Sequence, residues 1–178
     1  MCLIVFAWKV NPHIPLIAAA NRDEFYERAS APAGAWPEHP QVYAGRDLQA
    51  GGSWMGITQT GGGSSRFAAI TNIRSPQDRN PDAPSRGALV ADYLAGNMSP
   101  RDYIAQIRPG SGVYNGFNLV LGDAETLIWF SNRGDGDARN LKTELDRVLT
   151  RLDHGELPAD LAKGEHIAMY VASQLRDC

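Results

Sequence analysis

The segment MCLIVFAWKVNPHIPLIAAANRDEF, residues 1–25, decides the first part of the fold, because it holds two short apolar runs followed by a charged tetrapeptide. The runs cover residues 2–8 and 14–20, and polar residues and prolines separate them. Short runs rich in Val, Ile, Phe and Trp around such a break predict an antiparallel hairpin. We expect this hairpin to be buried on both faces and to bring residues 20–23 back beside residues 2–5.

The rest of the chain predicts more hairpins and then helices, which is typical of an α+β layered fold. Residues 24–47 carry three prolines and predict a loop, whereas a Gly/Ser tip at 61–65 predicts the turn of a second hairpin. Ser85 and Ser99 stand where helix N-caps are expected. The predicted elements are strands at 53–58, 67–73, 117–121 and 126–130, and helices at 86–95, from Pro100 onward, at 141–152 and at 165–175.

Composition excludes several classes of protein. The chain has 178 residues, 43% hydrophobic and 21% charged, with a formal net charge of -3, which suits one globular domain and no nucleic-acid partner. No apolar stretch reaches the roughly 18 residues of a membrane span, and no basic segment precedes the first apolar run. Two cysteines at opposite ends predict free thiols in the cytoplasm. The four histidines show no ligand spacing, so we expect no metal.

Cys2 has two readings. If Met1 is removed, its thiol and a free α-amine share one residue, and the amine, with an ordinary pKa near 8, can take the thiol proton. Nucleophile and base then need no histidine. If Met1 is retained, the amine is absent and this mechanism fails. The alternative is a buried cysteine on a core strand, which is common in proteins.

Polar residues near the strand ends are further candidates. In the hairpin, Asp23 would approach the α-amine and orient it, while Arg22 could bind a carboxyl or carbonyl group. The alternative is a solvated charged turn. Asn72 lies in an apolar strand, where its N–H could stabilise an oxyanion or be satisfied structurally, and Asn118 raises the same question.

Six motifs in the same order resemble the NRDE family, whose members are also called transport and Golgi organisation 2 proteins. The resemblance covers residues 1–133 and implies a four-layer αββα sandwich of mainly antiparallel sheets, similar to the N-terminal nucleophile (Ntn) hydrolases. The motifs are MCLIVFAW, ANRDEF, AGRDLQAGGSWMG at 44–56, RFAAITNIR at 66–74, APSRGALVADYL at 83–94 and YNGFNLVLGD at 114–123.

The resemblance also implies roles for single residues. Cys2 is the expected nucleophile, Arg22 and Asp23 take the roles of an Arg/Asp pair, and Asn72 takes the oxyanion role. The residues expected to bind substrate are Asn21, Arg46, Asp47, Trp54 and Asn118.

Three departures from the family pattern concern the length of the chain. The tip at 61–65 is longer than in relatives, a Gly-rich segment is missing after residue 140, and a strand near the C-terminus is absent. Either the protein is shortened or the sequence omits these stretches. We therefore expect one domain over residues 1–178 that lacks these family segments.

Two functions follow as expectations. The first is a cysteine hydrolase of linear amides, in which acyl transfer proceeds through Cys2 without a cofactor. The second is a non-enzymatic protein for haem or lipid handling or for trafficking, with a cleft lined by Trp36, Trp54 and Arg46. The expected ligand is a small amide or a lipid-like molecule, and the oligomeric state is open.

Overall fold

The computed structural model describes residues 3–22, 24–58, 65–73, 79–133 and 138–140. The described part contains mainly antiparallel sheets and two α-helices, so the predicted α+β class is confirmed. The chain divides into two compact units: Met1–Asp23 with Asn140–Cys178, and Glu24–Arg139. The four-layer order and the single domain over residues 1–178 stay predictions.

The first unit contains the predicted N-terminal hairpin. Strands β1 (Leu3–Asn11) and β2 (Ile14–Asn21) pair antiparallel, with Leu3 opposite Asn21. Ile4 and Phe6 are buried, but most of β2 is exposed. The prediction of burial on both faces is therefore wrong, because an antiparallel hairpin can cover one face and leave the other to water.

The second unit contains a seven-stranded sheet in the described part of the chain. Its strands follow one another in sequence order from β3 to β9, and the five pairs from β3 to β8 are antiparallel. The strands are β3 (Ser30–Trp36), β4 (His39–Asp47), β5 (Met55–Thr58), β6 (Phe67–Asn72), β7 (Phe117–Gly122), β8 (Leu127–Ser131) and β9 (Arg139–Asn140).

The prediction of a loop over residues 24–47 is wrong, because this segment contains β3 and β4. β3 is the first strand in the sheet order, and a strand there can accept proline, which has no N–H to donate to a neighbour. Pro32 lies where the register with β4 shifts between Ala31 and Gly34, and Pro37 lies in the turn. Tertiary pairing thus overrides the local signal of the prolines.

The other two predicted hairpins are confirmed. β5 pairs with β6 and β7 pairs with β8. The tip predicted at 61–65 lies outside the described residues except for Ser65. The β7–β8 turn is closed by Asp123, whose Oδ1 accepts hydrogen bonds from the backbone N–H of Glu125 at 2.9 Å and of Thr126 at 2.7 Å.

Both helices predicted before residue 110 are present. α1 (Gly87–Ala95) has Arg86 as its N-cap with no side-chain hydrogen bond, so the predicted cap by Ser85 is wrong. α2 (Pro100–Ile107) begins as predicted, because the Ser99 hydroxyl accepts the backbone N–H of Asp102 at 3.2 Å. A 3₁₀ turn, Arg108–Val113, follows. The helices predicted at 141–152 and 165–175 lie outside the described residues.

The core of the second unit lies where the helices cover one face of the sheet, here called the helix face. Alternate residues of the central strands point to it, as a pleated strand requires. Within the described ranges, neither helix has the length and apolar character that crossing a bilayer requires. The buried residues of this core are Trp36 of β3, Val42 and Ala44 of β4, Ala68 and Ile70 of β6, Phe117, Leu119 and Leu121 of β7, Ile128 and Phe130 of β8, and Leu89, Val90, Tyr93, Leu94, Tyr103 and Ile104 of the helices.

Candidate active site

The N-terminal hairpin brings Asn21, the first residue of the charged tetrapeptide, beside the start of β1. Asn21, the last residue of β2, lies opposite Leu3, the residue that follows Cys2 in the sequence. Ala20 lies opposite Ile4, so the predicted return of the second strand to the beginning of the first is confirmed for these pairs. Asn21 is exposed and Arg22 is half-buried.

Two predicted catalytic residues, Cys2 and Asp23, lie outside the described residues. The remaining predicted site residues belong to the second unit, and they do not form one group there. Asp47 and Arg46 end β4, Trp54 precedes β5, Asn72 ends β6 and Asn118 lies on β7.

Asp47 is a buried carboxylate that holds a loop together. Its Oδ1 accepts the backbone N–H of Gln49 at 3.0 Å and of Ala50 at 3.2 Å, while Oδ2 accepts two hydrogen bonds from Arg28. Burial raises the pKa of Asp47, but these hydrogen bonds outweigh it, so the pKa lies below its ordinary value. The carboxylate is therefore held ionised by internal partners.

Arg28 is a residue that sequence analysis missed. Its guanidinium is hydrogen-bonded to Asp47 and lies 3.7 Å from Oε2 of Glu24, the last residue of the tetrapeptide. The i,i+4 spacing of Glu24 and Arg28 did not predict the second contact, because that spacing brings side chains together on a helix and residues 24–28 form none. Nothing local predicted the first, because Arg28 and Asp47 lie 19 positions apart.

Arg46 lies on an open cleft of about 450 Å³ beside β3 and β4. Its guanidinium stacks 4.1 Å from the ring centre of Trp36 and forms an ion pair with Glu38. Trp36 is buried, and its indole N–H donates to the carbonyl of Ala44 at 3.2 Å. The cleft thus brings together two of the three residues predicted for the alternative function.

The third, Trp54, is not among the residues that line this cleft. It is half-buried and packs against the core on the helix face, and its carbonyl accepts the backbone N–H of Ile70 at 2.8 Å.

Asn72 and Asn118 point to opposite faces of the sheet. Asn72 lies opposite Phe117 at the end of β6, and directly opposed residues share a face, so it belongs to the helix face, where it is exposed. Asn118 is the next residue along β7 and therefore points to the other face. It lies between Thr71 of β6 and Ser131 of β8 in the register.

Asn118 carries hydrogen-bond donors that the described part of the chain leaves unused. The side chain belongs to a residue only 7% exposed, and its Oδ1 accepts the indole N–H of Trp129 at 3.3 Å. Among the described residues, none accepts a hydrogen bond from Nδ2. Buried amides are normally satisfied, so an unused donor at this depth calls for an explanation.

A comparison of the sequence with protein families covers the predicted site residues. A family model described as Transport and Golgi organisation 2 matches residues 1–163. The chain belongs to the Transport and Golgi organisation 2 family. The resemblance noted in the sequence motifs is thereby confirmed, and it extends beyond residue 133.

Three curated relatives of this Transport and Golgi organisation 2 chain are each 35% identical to it. The mouse homolog matches over 147 residues, or 76% of this chain and 51% of its own length. The human homolog matches over 149 residues, 77% and 52%, and the Drosophila melanogaster protein over 129 residues, 67% and 45%. The chain thus spans about half the length of the curated relatives it matches.

Proposed function

We propose that this chain is an N-terminal nucleophile hydrolase that cleaves linear amides with Cys2 as the nucleophile. The observation that carries the proposal is the register of the first hairpin, in which Asn21 of the tetrapeptide lies opposite Leu3. Asn21, the first residue of the tetrapeptide, therefore lies at the same end of the hairpin as the residue that follows Cys2. Family membership supports the proposal through the motifs, whereas the relatives' names state no reaction.

The proposed reaction needs only groups of this chain and water. After removal of Met1, the α-amine of Cys2 takes the thiol proton and the thiolate attacks the amide carbonyl carbon. The C–N bond then breaks, and the ammonium returns the proton to the departing amine. Water, activated by the same amine, hydrolyses the thioester and releases the acid. In this scheme Asp23 orients the amine and Arg22 binds a carboxyl group of the substrate.

For the oxyanion donor, Asn118 is a stronger candidate than Asn72. An oxyanion is stabilised by a fixed donor in a site with little water, where the donor needs no reorganisation. Asn118 is buried and its Nδ2 is unused within the described ranges, whereas Asn72 is exposed on the helix face. We propose that Asn118 donates to the oxyanion and that Asn72 does not.

Intact mass tests the nucleophile directly. We expect the mature protein to lack Met1 and to react with one equivalent of iodoacetamide at Cys2 faster than at Cys178, as peptide mapping distinguishes. Release of free amine from a panel of N-acyl amino acids should disappear in Cys2→Ala and persist in Cys178→Ala. Full retention of Met1, or turnover unaffected by Cys2→Ala, would contradict the proposal.

Two asparagine variants test the oxyanion assignment. Asn118→Ala should lower kcat by about 10²-fold or more, while the free energy of unfolding falls by about 1–3 kcal/mol because the indole N–H of Trp129 loses its acceptor. Asn72→Ala is the matched control and should leave kcat within about twofold. The reverse pattern would assign the oxyanion role to Asn72.

The alternative function is a non-enzymatic role in trafficking or in haem or lipid handling. The relatives are named for transport and Golgi organization. The cleft at Trp36 and Arg46 is the observation that favours a haem or lipid ligand. Against it, the guanidinium of Arg46 is paired with Glu38 and the indole of Trp36 is buried beneath it. A haem titration without a saturable spectral change would exclude haem as the ligand.

A further inference from the structure

Three arginines of the second unit, Arg28, Arg79 and Arg86, form a group with two carboxylates, Glu24 and Asp47. The three positive charges exceed the two negative charges. The charges of Arg28, Arg79 and Glu24 all act on the guanidinium of Arg86. Arg28 is already paired with Asp47 and Glu24. Arg79 and Arg86 form no ion pair with a carboxylate in the part of the chain that the structure describes.

Arg86 is the central member of this group. It is half-buried, and its Nη1 donates to the carbonyl of Gly116 at 2.9 Å. Burial lowers the pKa of Arg86, the positive charges of Arg28 and Arg79 lower it further, and Glu24 acts in the opposite direction. These effects make the charged form of Arg86 less favourable than it is in water. Because a guanidinium stays charged in proteins, a bound anion would stabilise it.

The loop that carries Arg79 is held beside the same segment. The backbone N–H of Asn80 donates to Oδ1 of Asn115 at 2.8 Å, and Nδ2 of Asn115 donates to the carbonyl of Asn80 at 2.7 Å. Arg79 therefore precedes a residue bound to Asn115, while Arg86 is bound to Gly116. Two adjacent residues of the chain thus hold the backbone next to Arg79 and the guanidinium of Arg86.

We propose that Arg79 and Arg86 form a binding site for the phosphate group of a phosphomonoester. A phosphomonoester carries close to two negative charges at pH 7 and offers three acceptor oxygens, which matches two guanidinium groups that have no carboxylate partner among the described residues. The planar donors of arginine suit such a group in two-point contact. The site goes beyond the proposed hydrolysis and does not depend on Cys2.

Calorimetric titration of the full chain with inorganic phosphate, at ionic strength held constant with chloride, tests the site. We expect saturable binding that weakens about tenfold in Arg86→Ala and by at least about threefold in Arg79→Ala. Arg101→Ala removes an exposed arginine from α2 and is the matched control, expected to change the affinity less than twofold.

Absence of saturable binding to the wild-type protein would overturn the proposal, and so would equal weakening by Arg101→Ala, which would indicate a general charge effect. Arg79 is exposed, so Arg79→Ala tests the site even if Arg86→Ala, which loses its contact with Gly116, fails to fold. Glycerol phosphate and vesicles containing phosphatidic acid then separate a soluble phosphomonoester from a lipid head group. Arg86-dependent binding of either supports the site.

Discussion

Arg28 donates two hydrogen bonds to one oxygen of Asp47, from Nε at 3.0 Å and from Nη2 at 2.6 Å. The pair joins the segment before β3 to the end of β4, where Asp47 also accepts two backbone N–H groups of the following loop. Asp47 is buried, whereas the side chain of Arg28 remains 27% exposed. The contact links the two ends of the β3–β4 hairpin.

Removing both partners of this pair should cost less than the sum of the costs of removing each one alone. Asp47→Ala leaves a guanidinium and two backbone N–H groups without their acceptor, so we expect a loss of about 2–3 kcal/mol in the free energy of unfolding. Arg28→Ala should cost about 2 kcal/mol, and the double variant should cost less than the sum. Urea denaturation of the four proteins measures this coupling. Strict additivity would show that the pair contributes nothing beyond its separate residues.

The same pair predicts how stability changes in acid. The pKa of Asp47 is lower in the folded protein than its ordinary value near 3.8, so ionisation of this carboxylate favours folding. Its contribution is fully present above the unfolded-state pKa and is lost as the pH falls through the lower folded-state pKa. We expect the stability difference between wild type and Asp47→Asn to be constant above about pH 5 and to shrink below about pH 4. In the Arg28→Ala background this pH dependence should be smaller, and an unchanged profile there would assign the shift to the loop N–H groups alone.

Gly52 lies where a loop meets α1 and has no room for a side chain. A Cβ at this position would come within 2.4 Å of the carbonyl carbon of Gly87, and the adjacent Ser53 donates its backbone N–H to the Gly87 oxygen at 3.2 Å. Gly52→Ala should therefore lower the free energy of unfolding by about 2–3 kcal/mol, because two backbone segments must separate. Gly110→Ala is the control, since nothing lies within 4 Å of its Cβ position. Thermal unfolding compares the two variants, and equal stability would show that the loop yields without cost.

Arg66 holds the end of α1 and the connection to α2. Its guanidinium lies 3.9 Å from the ring centre of Tyr93 and donates to the carbonyls of Gly96 and Met98, the latter at 2.8 Å. Arg66→Ala should cost about 1–2 kcal/mol, since the cation–π contact and two charged hydrogen bonds are lost together. Arg66→Lys should recover only part of this, because ammonium lacks the planar geometry. Chemical denaturation gives both values, and full recovery by lysine would reduce the role of Arg66 to its charge.

The elements that the sequence by itself determined depend on neighbours in the chain. The apolar runs at residues 2–8 and 14–20 predicted β1 and β2, because short runs rich in Val, Ile, Phe and Trp around a proline-containing break are local signals of a hairpin. The N-cap at Ser99 followed from a serine before a proline at the first helical position. The family motifs were also legible without coordinates.

Only the tertiary structure decided the features that depend on partners distant in sequence. Residues 24–47 form strands because β3 and β4 pair with each other and β4 with β5, although their prolines indicate a loop. The pairing of β6 and β7 places Asn72 on the helix face and Asn118 on the other, a difference that two similar strand sequences do not express. The ion pair of Arg28 with Asp47 likewise exists only after β4 has folded back. Local chemistry selected the elements, whereas the sheet register decided which polar groups are buried and which donors stay unused.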